Sequence, residues 1–238
     1  MENVKALFWD VFGTLVDWRT GIARESRALL EPLGVRIDWL EFADAWRGEY
    51  QPAMEEVRSG REPFVPLDVL HRRMLETTMR RLGLRAIDGD TATELTLAWH
   101  KLDAWDDAKR NFGTLRRAYL MAPVSNGNIA LMVDLARRND FRWDAILGAE
   151  IAQDYKPKPR AYLASVEALG LRPSECMMVA AHSADLKAAA QVGLRTAHVA
   201  RMEEAPGKGE PAPTVPVDVA ASSFDDLVAK LGLVKGAG

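Results

Sequence analysis

Cysteine is nearly missing. Cys176 is the single one in 238 residues, so no intrachain disulfide can form, and the expectation is a reducing compartment. The run Cys176-Met177-Met178-Val179 is apolar, so a buried structural thiol is expected there. Long apolar runs are missing too: none reaches the roughly 18 residues that a membrane-spanning helix needs. The opening Met1-Glu2-Asn3-Val4-Lys5 turns apolar for only a few residues before Asp10, too few for a secretory signal. A cytoplasmic protein with no membrane partner is expected. There is no basic excess, since 31 Lys and Arg stand against 34 Asp and Glu for a net charge of −3. Nothing in that balance neutralises phosphates, so nucleic acid is not an expected partner. Low-complexity tracts are absent, and 48 % hydrophobic with 27 % charged residues is ordinary for a folded chain and excludes a disordered one. The length suits one large domain or two small ones.

What is present changes rhythm along the chain. Val4 to Trp9 is a short apolar run that stops at Asp10, with Gly13 permitting a tight turn soon after. From Arg19 to about Leu102 apolar residues recur at helical spacing: Ile22, Leu29, Leu30, Leu33, then Leu70, Met74, Leu75, Met79, Leu82. Pro52, Pro63 and Pro66 punctuate this block, which reads as a helical insert. Thereafter strand and helix alternate. Strands are expected over Tyr119 to Val124, Ala145 to Gly148, Met177 to Ala181 and Thr196 to Val199. Helices are expected over Ile129 to Arg138, Arg160 to Leu169, Ala184 to Val192 and Phe224 to Leu231. Asp103 to Asp107 marks the return from the insert, a hinge and helix start, and Met202 to Pro216 reads as a surface loop rich in Gly, Pro and charge. The alternation implies an α/β fold with a parallel sheet.

In such sheets chemistry collects at the carboxyl ends of the strands. The polar residues that follow the apolar runs are Asp10 and Thr14, then Ser125 and Asn126, then Lys156, then His182 and Asp185. Each alone has a plain explanation as a turn former, helix cap or solvated charge. Together they offer two carboxylates, a lysine, a histidine and small donors. A lysine beside two carboxylates keeps Asp10 ionised, as a nucleophile requires. Trp18, Trp39, Trp46, Trp99, Trp105 and Phe42 read as core or as lining of the cleft beside the insert. His71, His100 and His198 stand in no pattern.

The series Asp10-Val11-Phe12-Gly13-Thr14-Leu15, Ser125-Asn126-Gly127, Tyr155-Lys156-Pro157 and Asp185 resembles the haloacid dehalogenase superfamily, and within it the L-2-haloacid dehalogenase (type II) branch. The resemblance covers nearly the whole chain. It implies a Rossmann-like parallel-sheet core, residues 1–17 and 103–238, with a small helical cap, residues 18–102, inserted after strand 1. It implies hydrolytic dehalogenation of short 2-haloacids to 2-hydroxy acids through an aspartyl ester at Asp10, with Thr14 and Lys156 positioning and charge-balancing that carboxylate. Ser125 and Asn126 are then expected to hold the substrate carboxylate, Arg47 the halide, and Phe12 and Tyr162 to lie beside the substrate. The expected partners are a haloacid and water, and a homodimer is an expectation of the same kind.

Two rivals share these motifs. Phosphatases of the superfamily carry a second Asp two residues after the nucleophile, to protonate the leaving alcohol, and here that position is Phe12. They also place a Gly-Asp pair, which holds magnesium with the nucleophile, where this chain has Ala180 and Ala181, so no metal and no cofactor are expected. A silent member used for binding would not need Asp10, Lys156 and Asp185 all together. The chain also departs from the dehalogenase pattern: Ala180-Ala181-His182 stands where the best-known members have Ser-Ser-Asn. His182, titrating near its ordinary value of about 6.5, is a candidate base for water or a donor to halide, with Asp185 orienting it.

Overall fold

The computed structural model describes residues 3–205 and 209–233. Strand β1 (Ala6–Trp9) leads through a tight loop to β2 (Val16–Asp17). Five helices follow: α1 (Trp18–Leu30), α2 (Trp39–Gly48), α3 (Tyr50–Arg58), α4 (Leu67–Arg81) and α5 (Gly89–Thr96). A 3-10 turn at Leu97–Lys101 then reaches β3 (Asp103–Ala104). The rest alternates: α6 (Asp106–Ala118), β4 (Leu120–Ser125), α7 (Ile129–Asn139), β5 (Leu147–Gly148), α8 (Ala149–Ala152), α9 (Pro159–Ala168) and β6 (Cys176–Ala180). It ends with α10 (Ser183–Gln191), β7 (Arg195–Val199), β8 (Val219–Ala221) and α11 (Phe224–Lys230).

Six strands form one parallel sheet in the order β5-β4-β1-β6-β7-β8. β1 lies at its centre, with Trp9 opposite Pro123 of β4 and Val179 of β6. The chain runs to one side of β1 first and to the other side later, so the switch point falls at β1, where such sheets place their ligands. Alternation of side chains splits the core in two. Leu7, Trp9, Met121, Met177 and Val179 pack with Phe112, Leu115, Leu131 and Phe224 on one face. Ala6, Phe8, Val124, Met178 and Ala180 pack with Tyr162, Val166 and Leu186 on the other. Cys176 is buried in the second layer, as its apolar setting requires, and burial pushes its thiol up to about 12.

The helical cap sits between β2 and β3, which pair antiparallel as a short ribbon, Val16 with Ala104 and Asp17 with Asp103. Entry and exit of the insert are thus tied together. Its helices start on acidic caps: Asp17 accepts from the Thr20 N–H, Asp38 from those of Leu40 and Glu41, and Asp88 from that of Thr91. Ile22, Leu30, Phe42, Trp46, Met54, Leu70, Met74 and Leu95 form their apolar faces, continuous with the core below. Leu33 departs from the periodic expectation. It lies past the end of α1 and is exposed.

Further differences concern short segments. β8, β2 and β3 were not expected, because two or three residues carry no periodicity. The Met202 to Pro216 stretch has neither helix nor strand among its described residues, yet it is not a plain surface loop: Glu204 and Ala205 are buried. Part of that stretch, residues 206–208, lies outside the described residues. No helix among the described residues is long and apolar enough to cross a membrane.

Candidate active site

Asp10 follows β1 directly, and its backbone N–H continues the ladder to Val179 O at 3.0 Å. Its carboxylate, nearly buried, collects three donors. Lys156 Nζ donates to Oδ1 at 2.9 Å, and Thr14 Oγ1 and His182 Nδ1 donate to Oδ2 at 2.8 and 3.0 Å. Burial favours the neutral acid, but the Lys156 and His182 charges and hydrogen bonds outweigh it and hold Asp10 far below the usual carboxylate range. Thr14 is fixed in turn, its oxygen accepting the Ala181 N–H at 2.9 Å.

Lys156 is buried and bridges both carboxylates, reaching Asp185 Oδ2 at 2.5 Å. Its backbone N–H donates to Asn126 Oδ1 at 2.8 Å, which locks the lysine's loop to the end of β4. Burial opposes its charge, and the two carboxylates overcome that and raise it. Asp185 goes the other way: burial, with the neighbouring Asp10 charge, raises its pKa. Two acids that share one ammonium therefore differ, Asp10 being the firmly ionised one. Tyr162 OH donates to Asp185 Oδ1 at 2.5 Å.

His182 does not follow its expectation. Asp185 does not orient it; its Nδ1 donates to Asp10 and its Nε2 to Glu204 Oε2 at 2.8 Å. Burial disfavours the imidazolium, but the two carboxylates outweigh it and hold His182 up at about 10. At neutral pH it is therefore a cation with both ring N–H groups committed, neither a free base nor a free halide donor. Its side chain stays 32 % accessible.

These groups open onto a cavity of about 460 Å³, lined by Asp10, Phe12, Asn126, Lys156, Tyr162, His182 and Asp185 from the core and by Arg47, Tyr50, Gln51 and Arg58 from the cap. The Arg47 guanidinium lies 3.8 Å from the centre of the Tyr50 ring and 5.8 Å from that of Phe12. Its buried Nη1 has no hydrogen-bond partner among the described residues. Phe12 packs edge-on against Tyr50, His71 and Trp99. Ser125 is placed differently from Asn126: it is wholly buried beneath the cavity, its Oγ accepting the Gly127 N–H at 3.0 Å. Glu204 was not singled out from sequence, nor were Tyr50, Gln51, Arg58 and Glu210. The one hint of Glu204 is Gly13, whose φ of +84° and missing Cβ admit the Glu204 carboxylate; a Cβ there would meet Oε1 at 2.1 Å.

A divalent cation does not fit these residues. The Lys156 ammonium already pairs with both Asp10 and Asp185, and β6 ends at Ala180, followed by Ala181, without a third carboxylate. No cluster of three or more His, Cys, Asp or Glu placed to hold a metal is found among the described residues.

A parallel-sheet fold with a helical cap over an ionised aspartate defines a class of α/β hydrolases. The family of haloacid dehalogenase-like hydrolases matches residues 4–193, and the chain belongs to it, in the L-2-haloacid dehalogenase branch. A crystal structure of a defluorinating L-2-haloacid dehalogenase is 41 % identical with TM-score 0.93, covering 96 % of this chain and 95 % of that one. A second L-2-haloacid dehalogenase structure is 42 % identical with TM-score 0.91, covering 96 % and 99 %. Among curated relatives, (S)-2-haloacid dehalogenase 1 of Pseudomonas sp. (strain CBS-3) is 26 % identical over 86 % of this chain and 88 % of its own length. The phosphoglycolate phosphatase of Aliivibrio fischeri is 23 % identical over 98 % and 99 %.

Proposed function

We propose that this chain hydrolyses the carbon–halogen bond of short 2-haloacids, haloacetates and L-2-haloalkanoates, through an ester on Asp10. The observation that carries the reading is an aspartate kept ionised by Lys156, Thr14 and His182, facing a cavity that Arg47 lines from the cap. Residues 18–102 act as the cap that supplies Arg47, and residues 1–17 and 103–238 as the catalytic core.

In the first step an Asp10 oxygen bonds to C2 of the acid as the carbon–halogen bond breaks. The halide leaves with the bonding pair toward Arg47, where negative charge develops. The substrate carboxylate is received at the Ser125–Asn126 strand end. There the Asn126 amide is oriented by the Lys156 N–H on its oxygen, and its Nδ2, which makes a 3.3 Å contact with Met54 Sδ, is the donor offered to a better acceptor. Phe12 and Tyr50 keep water from the carbon during attack. In the second step water gives a proton to Asp185 and its oxygen adds to Cγ of Asp10. Collapse breaks the Cγ–O ester bond. The product hydroxyl takes the proton of the carboxylic acid just formed, and Asp185 releases the water's proton to solvent. Burial and the raised proton affinity of Asp185 suit it to that acceptance.

Phosphate-ester hydrolysis is the weaker reading. Phe12 occupies the position of the acid that would protonate an alcohol, and it is locked in aromatic contacts. The deciding experiment measures halide release from chloro-, bromo- and fluoroacetate and both 2-chloropropionate enantiomers, with EDTA present. Release is expected from the wild type, and a loss on the order of 10⁴-fold or more from Asp10→Asn. No release from any of them would refute the reading.

A further inference from the structure

We infer that Glu204 is a positioning residue for the second half-reaction: it holds His182 as a two-sided donor, so that His182 stabilises the oxyanion of ester hydrolysis instead of accepting a proton from water. This rests on the function proposed above.

The geometry is a continuous chain. Trp18 Nε1, on the first helix of the cap, donates to Glu204 Oε1 at 2.9 Å. Glu204 Oε2 accepts from His182 Nε2 at 2.8 Å, and His182 Nδ1 donates to Asp10 Oδ2 at 3.0 Å. Glu204 is itself buried, and Gly13, inside the Asp10 loop, lacks the Cβ that would exclude its carboxylate. A buried carboxylate threaded against the nucleophile loop and paired with one histidine is a built arrangement, not a surface ion pair.

Charge balance explains its use. In the resting site two carboxylates, Asp10 and Glu204, support the His182 charge. Ester formation neutralises Asp10. Without Glu204 the imidazolium would then be left without a hydrogen-bonded carboxylate, facing the cations Lys156 and Arg47 across the same cavity. Glu204 is the partner that survives the first step. Asp10 Oδ2 has two donors, Thr14 and His182, whereas Oδ1 has Lys156 alone. Oδ1 is therefore the oxygen that bonds to carbon, and Oδ2 remains the ester carbonyl. When water adds to Cγ, the electron pair of the carbonyl moves onto Oδ2, already within hydrogen-bond reach of Thr14 and His182; on collapse it returns as the Cγ–O ester bond breaks. A donor preset at the developing oxyanion acts on the transition state without reorganising.

The other ionisable groups near His182 are Asp185 and Glu210, which line the same cavity, and His198 of β7. Glu210 accepts from the Ser183 N–H at 3.0 Å and lies 3.9 Å from His198 Nε2, so neither of these two replaces Glu204 at the His182 ring.

The test has two arms. His182 is titrated by ring ¹⁵N NMR in wild type and in Glu204→Gln. The wild type is expected near 10, and the variant well below it. An ordinary histidine value in the wild type overturns the inference even if the variant does not fold. In rapid-quench assays with a haloacid, Glu204→Gln is expected to keep the first-turnover burst of halide, to slow ester hydrolysis by about tenfold or more, and to accumulate the protein ester by mass. Its alkaline limb of kcat should move to lower pH, with Glu204→Asp partly restoring it. Equal loss of both steps, or an unmoved pH profile, would mark Glu204 as merely structural and overturn the proposal. If the wild type releases no halide, the proposed function fails, while the NMR titration still decides the charge of His182.

Discussion

Arg47 shows what a single side chain contributes here and how little of it the sequence alone could convey. Its position in the Trp46-Arg47 pair suits a surface charge on an amphipathic helix as well as an anion site. The structure places its guanidinium over Tyr50, on the cavity wall, and leaves Nη1 buried with no hydrogen-bond partner among the described residues, which costs free energy. Arg47→Met is expected to lower kcat for halide release by about a hundredfold while leaving the fold intact, since the guanidinium serves the leaving anion. Comparable loss in KM alone would show that Arg47 binds the substrate carboxylate instead. Asp10, Thr14, Lys156, Asp185 and Asn126 were legible because each follows a strand, and strand ends converge. Glu204 was not, because it lies in a segment of Gly, Pro and charge whose composition mimics a solvated loop. Only tertiary contact distinguishes it from its exposed neighbours Met202 and Glu203. His182 is legible as a residue, but its charge is not, since that depends on the unseen partner Glu204. His182→Asn should accordingly slow ester hydrolysis more than halide release, read by accumulation of the ester; unchanged single-turnover kinetics would remove it from the second step.

Elements were legible where their periodicity was long. The helix expected over Ile129 to Arg138 appears as Ile129–Asn139, and the one over Arg160 to Leu169 as Pro159–Ala168. What sequence did not reveal is how the cap is fastened, because fasteners are single residues from distant elements. His100, in the 3-10 turn before β3, donates from Nδ1 to Asp134 of α7 at 2.7 Å and from Nε2 to Asp68 of α4 at 3.1 Å. Asp68 also accepts from Asn128 Nδ2 at 2.8 Å. Burial opposes the charge of His100, but its two carboxylate partners outweigh it and raise its pKa above the ordinary 6.5. A raised value in the folded state means stability that is fully present below about pH 6.5, the unfolded value, and lost as pH climbs through the folded value. Removing this pair of bonds with His100→Gln should cost about 1 kcal/mol near pH 6, because Asp134 is half exposed and water screens it. The gap between wild type and variant should narrow as pH rises above about 6.5. Melting curves across that range check this, and a gap independent of pH would mean that His100 acts by packing alone.

At the scale of the molecule, the choice between carbon–halogen and phosphate-ester chemistry is distributed across cap and core, not stored at one position. Changing Phe12 to the acid that phosphatases carry is the simplest attempted conversion, and the structure predicts that it fails. Lys156 would still pair with both Asp10 and Asp185, neutralising the two carboxylates that remain. Ala180 and Ala181 would still offer no carboxylate. The new charge would enter an aromatic cluster that joins the Asp10 loop to the cap, where Phe12 meets Tyr50, His71 and Trp99 edge-on. His71 there is already held neutral, its pKa driven down to about 3 by burial, so it is not a ready partner for a carboxylate. Phe12→Asp should therefore lose about 3 kcal/mol or more of stability, the cost of deleting a buried ring with a charge added to it. It should gain no phosphate release from small phosphate esters with Mg²⁺ present, and wild-type halide release should be indifferent to EDTA. Thermal melts and the two assays on one preparation decide the matter. A Phe12→Asp protein that stays folded and turns over phosphate esters with Mg²⁺ would show that the single position, not the missing carboxylate at Ala181 and the capped aromatic cluster, sets the chemistry.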